Sequence, residues 1–391
     1  MFIIFILSLL LLICGITEQL QHNRRIQRIP IRIHVNGTRG KSTTTRLIAA
    51  GLREGGFKVL AKTTGTLPRL ILEDGTEIPV KRRGNANISE QMRILAKGAK
   101  RKIDALVLEC MAVNSEPQWV SEHKMIKSTI GVITNVREDH LEDIGVGPDN
   151  TANTLKLTIP KNGTLITSEK RYQSIFKEQA DKLNTKIIWA NPNDISDKLI
   201  NQFNYMNFKE NISIALQVNK FLGINQEIAL RGMLKTNPDP GALKIYKFSK
   251  DDKDLFFVNA FAANDRNSTL LIWEKLKEKF DLYNLPVIGI INNREDRVLR
   301  SVQFAHILAH EIKPVKIILV GPLSKLTERT LLKLKVNPDK IINLNKSIAA
   351  EKVLETILKL FNKSGLLMGF GNTKGAGQNL IDYFEKFGEV I

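Results

Sequence analysis

The densest chemistry in the chain lies in His34-Val35-Asn36-Gly37-Thr38-Arg39-Gly40-Lys41-Ser42-Thr43. Gly37 and Gly40 let backbone N–H groups approach an anion, and a helix starting here would add its positive dipole end. Lys41 can reach β- and γ-phosphates, and Ser42 can offer a hydroxyl to Mg²⁺. The general phosphate loop is G-x4-G-K-[ST]; Val35 stands where its first glycine belongs, which leaves the shorter G-x-x-G-K-S form. Gly37, Thr38, Arg39, Gly40, Lys41, Ser42 and Thr43 are therefore the expected phosphate-binding residues. Phosphoryl chemistry also needs a metal-side group. Glu109 closes the apolar run Leu106-Val107-Leu108, and His140 lies with several acids just past the next run, in TNVREDHL. A hard cation prefers oxygen, so Glu109 with Ser42 is the expected ligand pair and His140 a secondary ligand. Lys41, Glu109 and His140 form the expected catalytic set.

Three later loops share one arrangement, polar or glycine-rich residues directly after an apolar strand. They are NAFAANDRNS from Asn259, NNREDR from Asn292, and GFGNTKGAG from Gly369. Loops placed at the carboxyl ends of buried strands are where open α/β sheets bind ligands.

The elements that must hold these residues follow from the apolar pattern. Strands are expected at 31–35, 58–61, 104–109, 129–135, 164–167 and 186–190, and helices at 42–53 and 210–221. Asp74-Gly75 reads as a two-residue hairpin turn between 70–73 and 76–80. Asn237-Pro238-Asp239-Pro240-Gly241 is the clearest break. Beyond it, further strands are expected at 255–259, 286–291, 316–320, 340–344 and 365–370. Alternation of this kind specifies α/β architecture with sheets of parallel type. The expected division is 1–17 membrane anchor, 18–29 basic juxtamembrane linker, 30–237 nucleotide domain and 238–391 a smaller Rossmann-like α/β domain.

The anchor rests on residues 2–16, which are apolar apart from Ser8, Cys14 and Gly15. No Lys or Arg precedes them, unlike a secretory signal, and Arg24, Arg25 and Arg28 follow. Basic flanks stay on the cytoplasmic side, so the body is expected in the cytoplasm, at the inner membrane. Two cysteines, Cys14 and Cys110, supply neither a disulfide framework nor a thiol zinc site. Among 391 residues, 58 are Lys or Arg and 40 are Asp or Glu, a net of +18. Between residues 24 and 102, 19 bases face five acids, a net of +14. Such a field concentrates a polyanion: nucleic acid, anionic membrane or an acidic polymer. With aromatic residues at 6%, stacking platforms for single strands are scarce, which disfavours nucleic acid.

GTRGKSTT with Lys41, LVLEC with Glu109 and TNVREDHLE with His140 resemble the Mur ligase superfamily of ATP-dependent amide ligases. The apolar start, NAFAAND and NNREDR are similar to its poly-γ-glutamate synthase ligase subunits, the PgsB/CapB family. The phosphate loop begins about twenty residues after the apolar run, the short arrangement of that branch. Asn259 stands where many Mur ligases begin an acidic DxAHxP-type stretch. The resemblance implies a Mur-like central ATPase domain followed by a closing domain. It implies ATP, Mg²⁺ with Mn²⁺ as substitute, and a carboxylate activated as acyl phosphate and joined to an amine. The carboxylate would be a γ-carboxyl of glutamate or of poly-γ-glutamate, and the amine that of another glutamate. Asn211 matches the family's adenine-side Asn, and Arg294 and Asp296 would complete the ATP site. Arg69, Arg82, Arg83, Asn264 and Lys374 are the expected substrate contacts, and Lys156 the nearest positional counterpart of a carbamylated metal-binding lysine. The same resemblance implies companion membrane subunits and is compatible with a homo-oligomer; a folylpolyglutamate-type acceptor is the alternative.

Overall fold

The computed structural model describes residues 2–65, 67–82, 84, 86–137, 147–203, 205, 207–239, 243–263, 265–281, 284–345 and 349–391. His140, Arg83 and Asn264 lie outside the described residues. The chain divides into two compact units, Met1–Pro240 and Gly241–Ile391.

The first unit is built on eight strands: β1 Ile31–Asn36, β2 Val59–Lys62, β3 Arg69–Ile71, β4 Glu77–Pro79, β5 Ala105–Glu109, β6 Ile130–Ile133, β7 Thr164–Thr167 and β8 Lys186–Trp189. Their order is β4-β3-β2-β5-β1-β6-β7-β8. Six strands are parallel, and β3 and β4 add an antiparallel hairpin at one edge. β1 lies between β5 and β6, so the chain runs first to one side of it and then to the other. That reversal leaves a crevice at the carboxyl ends of β1, β5 and β6, where ligands bind in such sheets. Ile33, Val35, Val107, Val132 and Ile166 are buried on the face packed with Leu47, Ile48 and Leu52. The last three belong to α2, Lys41–Glu54. Burial on both faces explains why these strands read as unbroken apolar runs.

The hairpin differs from its expected turn. Gly75 N–H donates to Leu72 O, and Leu72 N–H donates to Thr76 O, so the loop has three residues rather than two. Asp74 takes part through its side chain, which accepts from Thr76 N at 2.9 Å. This side-chain bond favours the tighter local turn at residue 74.

At the amino end, α1 spans Phe2–Gln27, 26 residues. It is long and apolar enough to cross a membrane, and its apolar window is unburied. The helix continues through most of the segment expected as a linker, and its last turns dock on the first unit. Ile26 and Ile29 are buried with Leu95, Ile103 and Ile126, Leu95 being part of α3, Ser89–Arg101. His22 bonds Met125 O at 2.8 Å. The Arg32 guanidinium donates to Ile29 O at 2.6 Å and Lys127 O at 2.9 Å. A cation at a helix carboxyl end contributes about 0.3–1 kcal/mol.

The second unit has seven strands: β9 Ile245–Lys250, β10 Lys253–Val258, β11 Val287–Asn292, β12 Lys316–Val320, β13 Ile341–Asn345, β14 Ser364–Gly371 and β15 Glu389–Val390. Their order is β13-β12-β11-β14-β10-β9-β15, with β9 antiparallel to both its neighbours, β10 and β15, and the other pairs parallel. β9 and β15 are not among the strands expected from the sequence. β9 alternates lysine with aromatic residues, the pattern of an antiparallel strand with one face on the core. Tyr246, Phe248, Phe257, Phe261 and Phe384 form an aromatic core beneath it.

Candidate active site

β1 carries the chain directly into the phosphate loop, and α2 starts at Lys41 with Gly40 as its N-cap. Gly37 and Gly40 have φ of 126° and 80°. A Cβ on Gly37 would lie 2.1 Å from Thr134 Oγ1, and one on Gly40 would lie 2.3 Å from Asn211 Oδ1. Only glycine meets both the backbone angle and the space. The loop is clasped by the residues that follow β6. Thr134 Oγ1 donates to Arg39 O at 2.6 Å, and Asn135 bonds both Arg39 O at 2.9 Å and Arg39 N at 3.0 Å. Thr38 N donates to Asn135 O at 3.1 Å, and Arg137 N donates to Thr38 Oγ1 at 3.0 Å. Lys41 Nζ folds back onto Gly37 O at 2.6 Å and Thr38 O at 3.2 Å. The ammonium is thereby pinned over the loop whose amides form the anion cradle.

Glu109, at the end of β5, is 3% exposed. Its Oε2 accepts from Ser42 Oγ at 2.8 Å and from Thr64 N at 2.6 Å. The two residues expected as metal ligands are thus in contact although 67 positions apart. Gln91, on α3, fixes the strand end by donating to Glu109 O at 2.9 Å. Among the described residues no group of three or more His, Cys, Asp and Glu side chains converges. A carboxylate and a hydroxyl beside a phosphate cradle suit a hard ion that takes its remaining ligands from phosphate and water.

Buried ion pairs brace this edge of the sheet. His34 Nδ1, on β1, meets Glu122 Oε2 at 2.8 Å, and both side chains are buried. Burial by itself lowers the His34 pKa, but Cys110 and Glu122 outweigh it and raise the value to about 10. Glu122 also accepts from Ser128 N at 2.8 Å and Ser128 Oγ at 2.9 Å. Lys62, at the end of β2, is fully buried and pairs with Glu90 at 2.5 Å. Glu90 in turn takes Arg82 Nε at 2.8 Å and Nη2 at 3.2 Å. Burial lowers the Lys62 pKa and Glu90 opposes it. Arg46, one turn along α2 from Ser42, is 1% exposed and pairs with Glu77 and with Asp239, the latter at 3.4 Å.

The remaining expected residues fall as follows. Asn211, on the helix Lys209–Phe221, is buried and accepts from Thr44 Oγ1 at 3.4 Å, against the start of α2. Arg69 opens β3 and bonds Thr63 Oγ1 through its backbone N at 3.2 Å. Lys156 Nζ donates to Asn153 Oδ1 at 2.7 Å. In the second unit Arg294 and Asp296 pair with each other at 2.8 Å, and Lys374 is exposed. Asn292, at the end of β11, donates to Asn372 O at 2.5 Å and Lys374 O at 2.8 Å, while Asn372 Nδ2 donates to Asn292 O at 3.0 Å. The loops are legible in the sequence; the roles of these asparagines, of Thr64 and Gln91, and of the Thr134-Asn135 clasp are not. The available signal was polar residues closing apolar runs.

Over 383 residues, 97% of this chain and 82% of the relative, the sequence is 42% identical to the capsule biosynthesis protein CapB of Bacillus anthracis. It is 38% identical over 389 residues to the PGA synthase CapB of Bacillus subtilis (strain 168), covering 99% of this chain and 98% of that one. The chain belongs to the CapB family. Residues 35–237 match the Mur ligase middle domain, and residues 245–387 match the poly-gamma-glutamate synthase CapB C-terminal domain. Solved structures of similar fold include the bifunctional folylpolyglutamate synthase/dihydrofolate synthase of Yersinia pestis with AMPPNP and a Mn ion, at TM-score 0.67 and 14% identity. That match covers 94% of this chain and 92% of the solved one. FolC of E. coli with ADP matches at TM-score 0.68 and 14% identity, with the same coverage of both chains. The family and the Mur ligase architecture make this protein an ATP-dependent amide ligase.

Proposed function

We propose that this ligase activates a γ-carboxyl of glutamate, or of the end of poly-γ-glutamate, and joins it to the amine of another glutamate. The observation that carries the reading is the contact of Ser42 with Glu109 beside a clasped phosphate loop that holds Lys41. The γ-phosphoryl of ATP passes to a carboxylate oxygen, releasing ADP and leaving an acyl phosphate. The amine nitrogen then attacks the acyl carbon, the C–O bond to phosphate breaks, and the nitrogen loses a proton. Loop amides and the Lys41 ammonium stabilise the charge on the transferring group. Ser42 and Glu109 would hold magnesium, which would supply further charge neutralisation. The rest is positioning: the Thr134-Asn135 clasp fixes the cradle, Thr64 N donates to the Glu109 carboxylate, and Gln91 holds the Glu109 backbone carbonyl.

Thr38, Arg39 and Thr43 line the nucleotide's phosphates in this reading, Asn211 its adenine side, and His140 assists the metal. Arg294 and Asp296 serve ATP. Arg69, Arg82, Arg83, Asn264 and Lys374 serve the acidic substrates, and the basic stretch that holds the first three attracts a polyanion in a salt-sensitive way. The apolar part of α1 anchors the chain in the cytoplasmic membrane beside companion subunits. Purified full-length protein with Mg²⁺ and ATP is expected to release ADP only when glutamate is present. ADP release that ignores glutamate would contradict the assignment, and a product carrying glutamate on a pterin-type acceptor would move it to the folylpolyglutamate class.

A further inference from the structure

An open pocket of about 1010 Å³ lies where the end of α1 meets α3. Five cations line it: Arg25 in the last turn of α1 and Arg28 just past it, Lys97 and Lys100 from α3, and Lys102 just beyond. Asp104 is the sole acid in the lining, and its Oδ2 already accepts Lys58 N at 2.7 Å. Among the described residues none of the five cations has a carboxylate within ion-pair distance. Arg25 and Lys97 are half-buried, so their repulsion is less screened than on an open surface. Pro30, Ala96, Ala99 and Ile103 complete the lining with apolar surface. The pocket therefore combines an unneutralised cationic rim with an apolar wall.

Its place in the fold selects among anions. From Leu20, the last exposed apolar residue of the helix, to Arg25 is about 8 Å at 1.5 Å per residue. A headgroup layer is about 5–8 Å deep on each side of the hydrocarbon. Ile26 and Ile29 pack with Leu95 of α3, and the Arg32 bond to Ile29 O and the His22 bond to Met125 O fix the end of α1 to the same unit, so the pocket keeps its distance from the apolar run. We propose that this pocket binds the phosphate headgroup of an anionic phospholipid, with arginine forks on the phosphate oxygens, lysines as point charges and the apolar wall against the glycerol and first acyl carbons. The proposal rests on the reading of α1 as a membrane anchor. It adds a lipid class and a defined site to that reading.

The test uses the full-length chain. Insertion into phosphatidylcholine vesicles, resistant to high salt and alkali, reports the anchor alone. In detergent, added phosphatidylglycerol is expected to raise Tm by about 3–6 °C and phosphatidylcholine to leave it unchanged. The variant Arg25→Gln/Lys97→Gln is expected to lose that shift against its own baseline. Arg24→Gln/Arg93→Gln removes the same charge from neighbouring exposed positions outside the pocket and is expected to keep it. Equal loss in both pairs would reduce the effect to general surface charge and overturn the site. An equal shift from soluble glycerol phosphate or from poly-γ-glutamate would overturn the lipid assignment. Insertion without phosphatidylglycerol preference sinks the pocket and spares the anchor, whereas failure to insert sinks both.

Discussion

The two sheets present their functional edges in opposite ways. In the first unit the candidate groups are recessed: Glu109 is buried, Lys41 is folded onto backbone carbonyls, and Thr134 and Asn135 lock the loop from the neighbouring strand. In the second unit the recessed groups are the scaffolding. Asn292 and Asn372 exchange bonds below the surface, while Arg294, Asp296 and Lys374 stand at or near it. Phosphate is a fixed shape that a preformed cradle fits, so donors are worth most when they cost no reorganisation. Loops that present mobile charged side chains need only their bases fixed, which an asparagine pair achieves.

The contrast is tested most severely at Lys41. Lys41→Ala is expected to lower turnover by about 10³-fold, since it removes a cation pre-positioned on the transferring group, while the unfolding transition stays intact. Near-normal ATPase in that variant would erase the distinction between the two edges. Glu109→Gln is expected to raise the Mg²⁺ concentration needed for half-maximal activity by about 10–100-fold, read as activity against Mg²⁺ concentration. An unchanged curve would make Glu109 a purely structural partner of Ser42 and Thr64.

Asn292→Ala sharpens the comparison from the other side. It leaves the buried carbonyl of Asn372 and the partly buried one of Lys374 without that donor, a cost of about 1–3 kcal/mol. The expected result is a raised KM for glutamate with little change in the KM for ATP, and a parallel rise in both would contradict it. The smallest effect concerns pH. His34, raised from its ordinary value near 6.5 to about 10, stabilises the fold fully below about 6.5 and loses that contribution as pH rises through about 10. Thermal unfolding should therefore show falling stability across that window, and His34→Gln should flatten the slope. An unaltered slope would remove His34 and Glu122 from the account.

Much of the fold and part of the site were readable in the sequence, for reasons that differ by residue. Doubly covered parallel strands are written as apolar runs, so β1, β5, β7 and β12 are found within a residue or so of their expected places. The phosphate loop is legible because its residues act as neighbours in the chain. Ser42 with Glu109 was legible because a hydroxyl after Gly-Lys and a carboxylate ending a strand each carry a signal. The clasp was not, because Asn135 finds Arg39 across 96 positions and polar residues after a strand have many uses. His34 lies inside β1 and Lys62 ends β2, and neither gives a hint of Glu122 and Glu90, whose helices approach only on folding. β9 escaped because a strand that alternates lysine with aromatics carries a weaker pattern than the runs beside it.

The central claim is that the terminal phosphoryl group of ATP is passed to a side-chain carboxyl of glutamate before the amide forms. Glutamate labelled with ¹⁸O in that carboxyl measures it directly. One label per amide formed should appear in inorganic phosphate, and recovery of all the label in the polymer would contradict the account.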